Sequence, residues 1–139
     1  MIKCFQLNIV TAEKNIFSGF AQKLFVPGQL GELEILFNHA PLLTSLLPGP
    51  VLFVNDSGAK DGIVIYGGML EVQPKVTTIL ANSALRSSHL DEAAALEAKK
   101  NSEENIIKSI NKIDYNRARM ELTIAVAQLR LIRQLRQGK

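Results

Sequence analysis

The fold of this chain is decided in residues 69–100, which read MLEVQPKVTTILANSALRSSHLDEAAALEAKK. Short apolar runs separated by turn residues end near residues 86–88, and a segment rich in Ala, Leu, Glu and Lys follows. All five prolines and eight of the nine glycines lie before residue 87. Because proline and glycine interrupt helices and favour turns, this shift predicts two domains, residues 1–86 and residues 87–139.

The first domain is predicted to consist of β-strands. Its apolar runs are short, and the segments between them contain Gly, Pro, Asn and Asp, which form tight turns. Many short strands with such turns favour an antiparallel β-sandwich over a parallel sheet with crossover helices. The predicted strands are residues 5–10, 21–26, 33–37, 51–55, 62–66, 69–73 and 76–81.

The second domain is predicted to form two helices. Ser88 and Asp91 have the spacing of a capping box, and Asp114 is a candidate N-cap of the second helix. Along that helix a 3-4-3-4-3 spacing forms one seam, which is typical of helix–helix packing. This hairpin seam consists of Tyr115, Ala118, Leu122, Ala125, Leu129 and Ile132. The sequence therefore predicts an α+β protein in which an antiparallel αα-hairpin follows the sandwich.

Residues that carry enzymatic chemistry are sparse in this chain. It has one cysteine, Cys4, and two histidines, His39 and His89, which lie in unlike contexts without metal-ligand spacing. Glu32 and Glu34 share one side of a predicted strand. That arrangement allows acid–base chemistry, but a solvated strand face explains the two carboxylates as well. We therefore predict a protein that is not an enzyme and has no metal site.

The positive charge of the chain is concentrated at its C-terminal end. The formal net charge is +3, and residues 117–139 contain six basic residues against one acidic residue. Arg119, Arg130 and Arg133 lie within about 60° of one another round a helix, and Arg136 extends the group. Three interpretations remain open at this point: a solvated helix face, a surface that binds nucleic-acid phosphates, and a surface that binds an acidic protein.

Three stretches of the sequence resemble the epsilon subunits of F-type ATP synthases. They are GELEILFNHAPLLTSLLPG (31–49), GGMLEVQPKVTTILANSA (67–84) and LDEAAALEAKK (90–100). The resemblance covers essentially the whole chain. It implies an N-terminal β-sandwich that binds the gamma subunit and sits on the proton-carrying ring. It also implies a helical hairpin that lies folded on the sandwich or extends toward the catalytic alpha and beta subunits, where it inhibits ATP hydrolysis.

The resemblance also implies candidate contact residues. Glu32 and His39 match family positions near the end that faces the ring, and Phe37 and Asn38 stand where the family has Pro-Gly. Since asparagine tolerates a left-handed backbone, we expect the loop to keep its conformation. Phe37 either adds an apolar contact with a partner or is buried in the sandwich. The candidate contacts with the catalytic head are Arg119, Arg130, Arg133 and Arg136.

The nucleotide site of some family members is only partly matched. Those members carry (Ile/Leu)-Asp-x-x-Arg-Ala at the start of the first helix, whereas here Leu90 and Asp91 are followed by Ala94 in place of the arginine. Ile124 and Gln128 align approximately with arginines of the second helix in such members. None of these three replacements carries a charge that binds phosphate. We therefore predict no bound ATP and no other cofactor.

The sequence is compatible with two functions. The first is a non-catalytic rotor subunit of the central stalk of a proton-translocating ATP synthase, which touches the membrane only through its complex. The second is a stand-alone basic module whose C-terminal helix contacts nucleic acid, a partner not expected under the first function. The stretch MIKCFQLNIV (1–10) lacks the features of a signal or transit peptide. We therefore expect the cytoplasmic face of a bacterial plasma membrane, although an organelle-encoded member would look the same.

Overall fold

A computed structural model describes residues 3–86 and 92–136. Within these ranges, seven strands precede two helices. The strands are β1 (Phe5–Val10), β2 (Asn15–Gly28), β3 (Gly31–Leu36), β4 (Leu42–Asn55), β5 (Lys60–Val72), β6 (Val76–Ala81) and β7 (Ala84–Arg86). The helices are α1 (Glu92–Lys108) and α2 (Lys112–Arg136). The predicted α+β architecture, with a helical hairpin after a strand-rich domain, is confirmed.

The long strands take part in both layers of the sandwich. The strands pair in the order β1-β6-β5-β4-β2-β3, β7 pairs with β5, and β1 also pairs with β2. The first part of β2 pairs with β1, whereas its second part pairs with β3 and β4. Likewise, the first part of β5 pairs with β7 and its second part with β6. Among the described strands, β1 and β6 form the one parallel pair.

Pro-Gly-Pro at residues 48–50 and Gly-Gly at residues 67–68 predict turns between strands, and both predictions are wrong. β4 continues through the first segment, Pro-Gly-Pro, and β5 continues through the second, Gly-Gly. The prolines fit because the pairing of β2 with β4 shifts register between Phe25 and Gly28, and strands tolerate proline at such irregularities. Gly67 has a φ of 97°, a conformation that glycine adopts without steric cost, so β5 is distorted there rather than ended.

The core of the sandwich lies between its two layers. Phe5, Leu7 and Ile9 of β1 are buried, while the residues between them are more exposed, as expected for a strand with one buried face. Phe17 packs against Phe53 with their ring centroids 4.5 Å apart. The described residues that form or flank this core all lie between positions 5 and 84. The helices therefore contribute nothing to it, and the sandwich has a core of its own.

The second helix begins two residues earlier than its predicted cap. Asn111 is the residue that caps it, because its side-chain oxygen accepts a hydrogen bond of 2.9 Å from the backbone N–H of Asp114. Asp114 was therefore wrong as the N-cap, and it lies in the first turn, where a carboxylate favours the positive end of the helix. The predicted capping box of Ser88 and Asp91 lies outside the described residues.

Candidate interface between the hairpin and the sandwich

Helix α2 packs on the outer face of the sandwich through one side of the helix. Its buried residues Ile124, Ala127 and Leu131 form a cluster with Val64 of β5. Two half-buried residues, Leu52 of β4 and Leu135 of α2, pack against this docking cluster. The spacing of the four helical residues is 3-4-4, which places them on one face of an α-helix.

The hairpin seam predicted from the sequence lies on another side of the same helix. Its three buried members, Ala118, Ala125 and Leu129, lie about 100–140° round the helix from Ile124. α1 packs on α2 rather than on the sheet, and Ala95 and Ser102 are its buried residues. Helix α2 is therefore held between α1 and the sandwich. The remaining members of the seam are Leu122 and Ile132, which are half-buried, and Tyr115, which is 39% exposed.

Sequence reasoning missed the docking cluster. Ile124, Ala127, Leu131 and Leu135 have helical spacing and were available to the same test that identified the seam. When a helix has two apolar faces, periodicity alone does not show which face packs on the other helix and which packs on the sandwich. The strand side gave no signal, since Val64 lies in a continuous buried run, residues 62–65, and not in an alternating pattern.

The arginines predicted to act together are divided among different sites. Arg130 donates a hydrogen bond of 3.2 Å to a carboxylate oxygen of Glu32 on β3, and Arg136 pairs with Glu92 of α1. The Arg119 guanidinium lies 5.8 Å from the centre of the Tyr115 ring. Arg133 is exposed and makes no ion pair with the described residues. In the docked hairpin, two of the four candidate cations therefore face carboxylates of their own chain.

The candidate ring-facing residues are divided between the two ends of β3. Glu32 lies near its start, whereas Phe37, Asn38 and His39 follow its end, and the strand between Glu32 and Leu36 extends for about 13 Å. Asn38 adopts a φ of 63°, the left-handed conformation expected for it, and its N–H donates to the carbonyl of Pro74. The loop therefore keeps a defined conformation without the glycine of the family pattern.

The side chains of that loop differ in their surroundings. Phe37 is partly buried against the sandwich core, and the Lys3 ammonium lies 5.6 Å from the centre of its ring. The ring Nδ1 of His39 lies 2.6 Å from the carbonyl oxygen of Ala40. Asn38 is exposed and His39 is half-buried, so both can reach a partner. Phe37 contributes mainly to the sandwich.

An open groove of about 900 Å³ lies beside α2 on the face of the sandwich. Its walls are largely apolar and include Phe25, Pro27 and Pro50, while Glu32 and Arg130 lie at its rim and are bound to each other. The charges of this rim are of both signs and do not form a phosphate site. Within the described ranges, no group of three His, Cys, Asp or Glu side chains is placed to hold a metal ion.

The described positions that align with the nucleotide site of other members lie on the two helices of the hairpin and differ in burial. Ile124 belongs to the docking cluster and is buried, and Gln128 is half-buried on α2. Ala94 is exposed on α1, and Asp91 lies outside the described residues. Ile124 therefore packs against the sandwich, and an arginine at this position would lie against Val64.

Two family models match the chain along nearly its whole length. The beta-sandwich domain of the ATP synthase delta/epsilon chain matches residues 4–87, and the long alpha-helix domain of the same chain matches residues 88–133. The chain belongs to the ATP synthase delta/epsilon family. Members of this family called epsilon chains are subunits of the central stalk and not the catalytic subunits.

Curated relatives match over almost their full length. The chain is 50% identical over 133 residues to the ATP synthase epsilon chain of Chromohalobacter salexigens, covering 96% of this chain and 94% of the relative. It is 45% identical over 136 residues to the ATP synthase epsilon chain of Nitrosococcus oceani, covering 98% and 97%. The resemblance seen in the sequence is confirmed by these matches.

Two solved structures share the fold. A chain of the Euglena gracilis mitochondrial ATP synthase, in its OSCP/F1/c-ring assembly, matches with a TM-score of 0.83 at 19% identity, over 93% of this chain and 81% of that one. A chain of the central stalk and c-ring of the Tetrahymena thermophila mitochondrial ATP synthase matches with a TM-score of 0.57 at 18% identity, over 95% and 96%. At these identities the likeness concerns the fold alone. Neither described helix of the present chain is long and apolar enough to cross a membrane.

Proposed function

We propose that the chain is a rotor subunit that joins the turning shaft to the proton-carrying ring and restrains ATP hydrolysis with its hairpin. The sandwich is the attachment domain, binding the gamma subunit and the ring. The hairpin is the regulatory domain, which alternates between the docked arrangement and one extended toward the catalytic alpha and beta subunits. This chain itself carries out no catalysis and binds no ATP.

The observation that carries this proposal is the separation of two apolar clusters. The sandwich core is built from strand residues and the residues that flank them, whereas the docking cluster combines Val64 with three buried residues of α2. Removing the hairpin therefore exposes Val64 and Leu52 on the sandwich and leaves the core intact. The contact between α2 and the sandwich consists of this small cluster and few ion pairs, which are exposed. Such a limited contact is suited to reversible docking. The 25-residue α2 is about 37 Å long, which suits it to reach the head when extended.

An exposed apolar row on the sandwich supports attachment to a protein partner. Leu80 of β6 pairs with Met69 of β5, which pairs with Ser45 of β4, and Leu43 lies two residues before Ser45 on the same strand. Leu43, Met69 and Leu80 are all exposed. Met69 and Leu80 are direct cross-strand neighbours, and Leu43 lies diagonal to Met69 and pairs with Glu71. Exposed apolar side chains grouped in this way favour a protein contact. We assign this face to a partner in the stalk, and the location to the cytoplasmic face of a bacterial plasma membrane, peripheral and reached only through the complex.

The proposal is tested by add-back to membranes depleted of this subunit. The full chain should restore proton pumping driven by ATP, and a chain ending at Arg86 should restore it too. The sandwich core is complete within residues 5–84, and Arg86 is held by an ion pair of 3.1 Å to Asp61. Failure of both chains to bind the depleted complex would contradict the proposal.

The nucleic-acid function has no support from the described residues. Arg130 and Arg136 are paired with carboxylates of the same chain, and Arg119 stacks near Tyr115. A stripe of cations free to follow a phosphate backbone is therefore not present on the docked helix. Salt-dependent retention of nucleic acid by the purified chain, together with failure of the add-back, would favour that function instead.

A further inference from the structure

Gly62 occupies a position in β5 that its backbone does not explain. It pairs regularly with Leu52 of β4, and its φ lies outside the left-handed region in which Gly67 and Gly68 are found. Glycine inside a strand weakens the strand, and it is typical of places where another group approaches the backbone closely. The reason for this glycine therefore has to be sought in what lies above it.

The space above Gly62 is filled by Leu131 of α2. A Cβ atom built on Gly62 would collide with Cδ1 of Leu131 and lie 3.3 Å from its Cδ2. It would also lie 3.1 Å from the carbonyl oxygen of Val51. Leu131 and the neighbouring Val64 are both 0% exposed. The missing side chain of Gly62 thus forms the notch in which the most deeply buried residue of α2 sits.

The contact joins the two parts of the chain and lies outside the sandwich core. Neither Gly62 nor Val64 is among the residues of that core, and Leu131 belongs to the docking cluster. A side chain added at this notch therefore disturbs the packing of the docked helix more than it disturbs the core of the sandwich. The ends of the leucine side chain can rotate away only by leaving a well-packed position.

We infer that Gly62 is a docking site for Leu131 and sets how much of the protein carries its hairpin on the sandwich. A methyl group at position 62 selects the undocked hairpin. Docking of the hairpin follows from the geometry alone, whereas a consequence for ATP hydrolysis rests on the proposed function. The residue acts by positioning α2 and touches no partner itself.

The test measures the docked fraction in the isolated full chain. Spin labels are attached at Asp56→Cys in the exposed β4–β5 turn and at Arg133→Cys on α2, in a Cys4→Ser background, and their distance distribution is recorded. Gly62→Ala should lower the ratio of docked to undocked chains at least tenfold, which corresponds to about 1.4 kcal/mol. Leu131→Ala should also lower that ratio, because it removes the buried side-chain atoms from the notch.

The double variant decides between the notch and a defect in the strand. Leu131→Ala removes both Cδ atoms that the new methyl group would meet, so adding Gly62→Ala to it should change the ratio less than twofold. An equal loss in both backgrounds would place the effect at the Val51 oxygen and overturn the inference. A fully docked Gly62→Ala chain would overturn it as well. Because no ATP synthase is present, failure here is separate from failure of the proposed function.

Discussion

Arg130 on α2 donates a hydrogen bond to the carboxylate of Glu32 on β3, although the two residues are 98 positions apart in the sequence. The sequence predicted different partners for them, the catalytic head for Arg130 and the ring for Glu32. In the docked hairpin the two side chains are instead bound to each other. Their release from each other is therefore part of any movement that brings Arg130 to the head.

This ion pair is expected to contribute little to docking. Its side chains are 51% and 82% exposed, and exposed pairs contribute about 0.2–1 kcal/mol. Arg130→Gln and Glu32→Gln should each lower the ratio of docked to undocked chains by less than about fivefold, and added salt should remove the difference. The spin-label distance distribution measures this. The exchange of Glu32→Arg with Arg130→Glu serves as the control and should restore docking, and a tenfold loss in either single variant would contradict the estimate.

Two alanines of α2 provide a matched pair for separating the two faces of the helix. Ala125 is 2% exposed and lies on the seam, whereas Ala127 is 4% exposed and lies in the docking cluster. A leucine at either place overpacks a buried contact at a cost of about 1–3 kcal/mol. Ala127→Leu should shift the hairpin off the sandwich, while Ala125→Leu should separate α1 from α2.

The readout for this pair is a second label on α1, which reports on the distance between the helices. If the seam were the surface that docks on the sandwich, overpacking at Ala125 would move the whole hairpin. The buried position of Ala127 against Val64 assigns that effect to Ala127 instead. Equal undocking by both variants would contradict the assignment of the two faces.

Both helices and at least part of six of the seven described strands could be predicted because their causes are local. Alternating apolar residues marked β1, and the absence of Pro and Gly marked α2. The continuation of β4 through residues 48–50 could not be predicted, since it depends on a register shift in a strand distant in sequence. The Glu32–Arg130 pair and the Gly62 notch depend on the same long-range packing, and no short pattern in the sequence encodes them.

Inhibition through charge predicts that three arginines act together. Arg130→Ala, Arg133→Ala and Arg136→Ala should each raise ATP hydrolysis by the complex less than about fivefold, since an exposed pair contributes about 0–1 kcal/mol. The triple variant should raise it more than any single variant. It should also dock less in the isolated chain, because the pairs of Arg130 and Arg136 within the chain are lost. More undocking with faster hydrolysis is the signature of a charge contact with the head.

A second triple variant controls for net charge. Lys99→Ala, Lys100→Ala and Lys108→Ala remove the same charge from α1 and should leave hydrolysis unchanged. The assay is run at low salt, where surface charges are least screened. If the complex with the arginine variant hydrolyses ATP no faster than the complex with the full chain, while the complex with the chain ending at Arg86 does, the inhibition is steric and the charge mechanism is excluded.

The central claim is that the docked hairpin does not inhibit and the released hairpin does. A reversible lock tests it in one complex, using Gly62→Cys and Leu131→Cys in a Cys4→Ser background, because Leu131 reaches the place where a side chain at position 62 would begin. Oxidation should lock the hairpin on the sandwich and raise ATP hydrolysis to the rate of a complex carrying only residues 1–86, and reduction should restore inhibition. An oxidised complex that stays as slow as the reduced one, while the truncated complex is fast, would contradict the account.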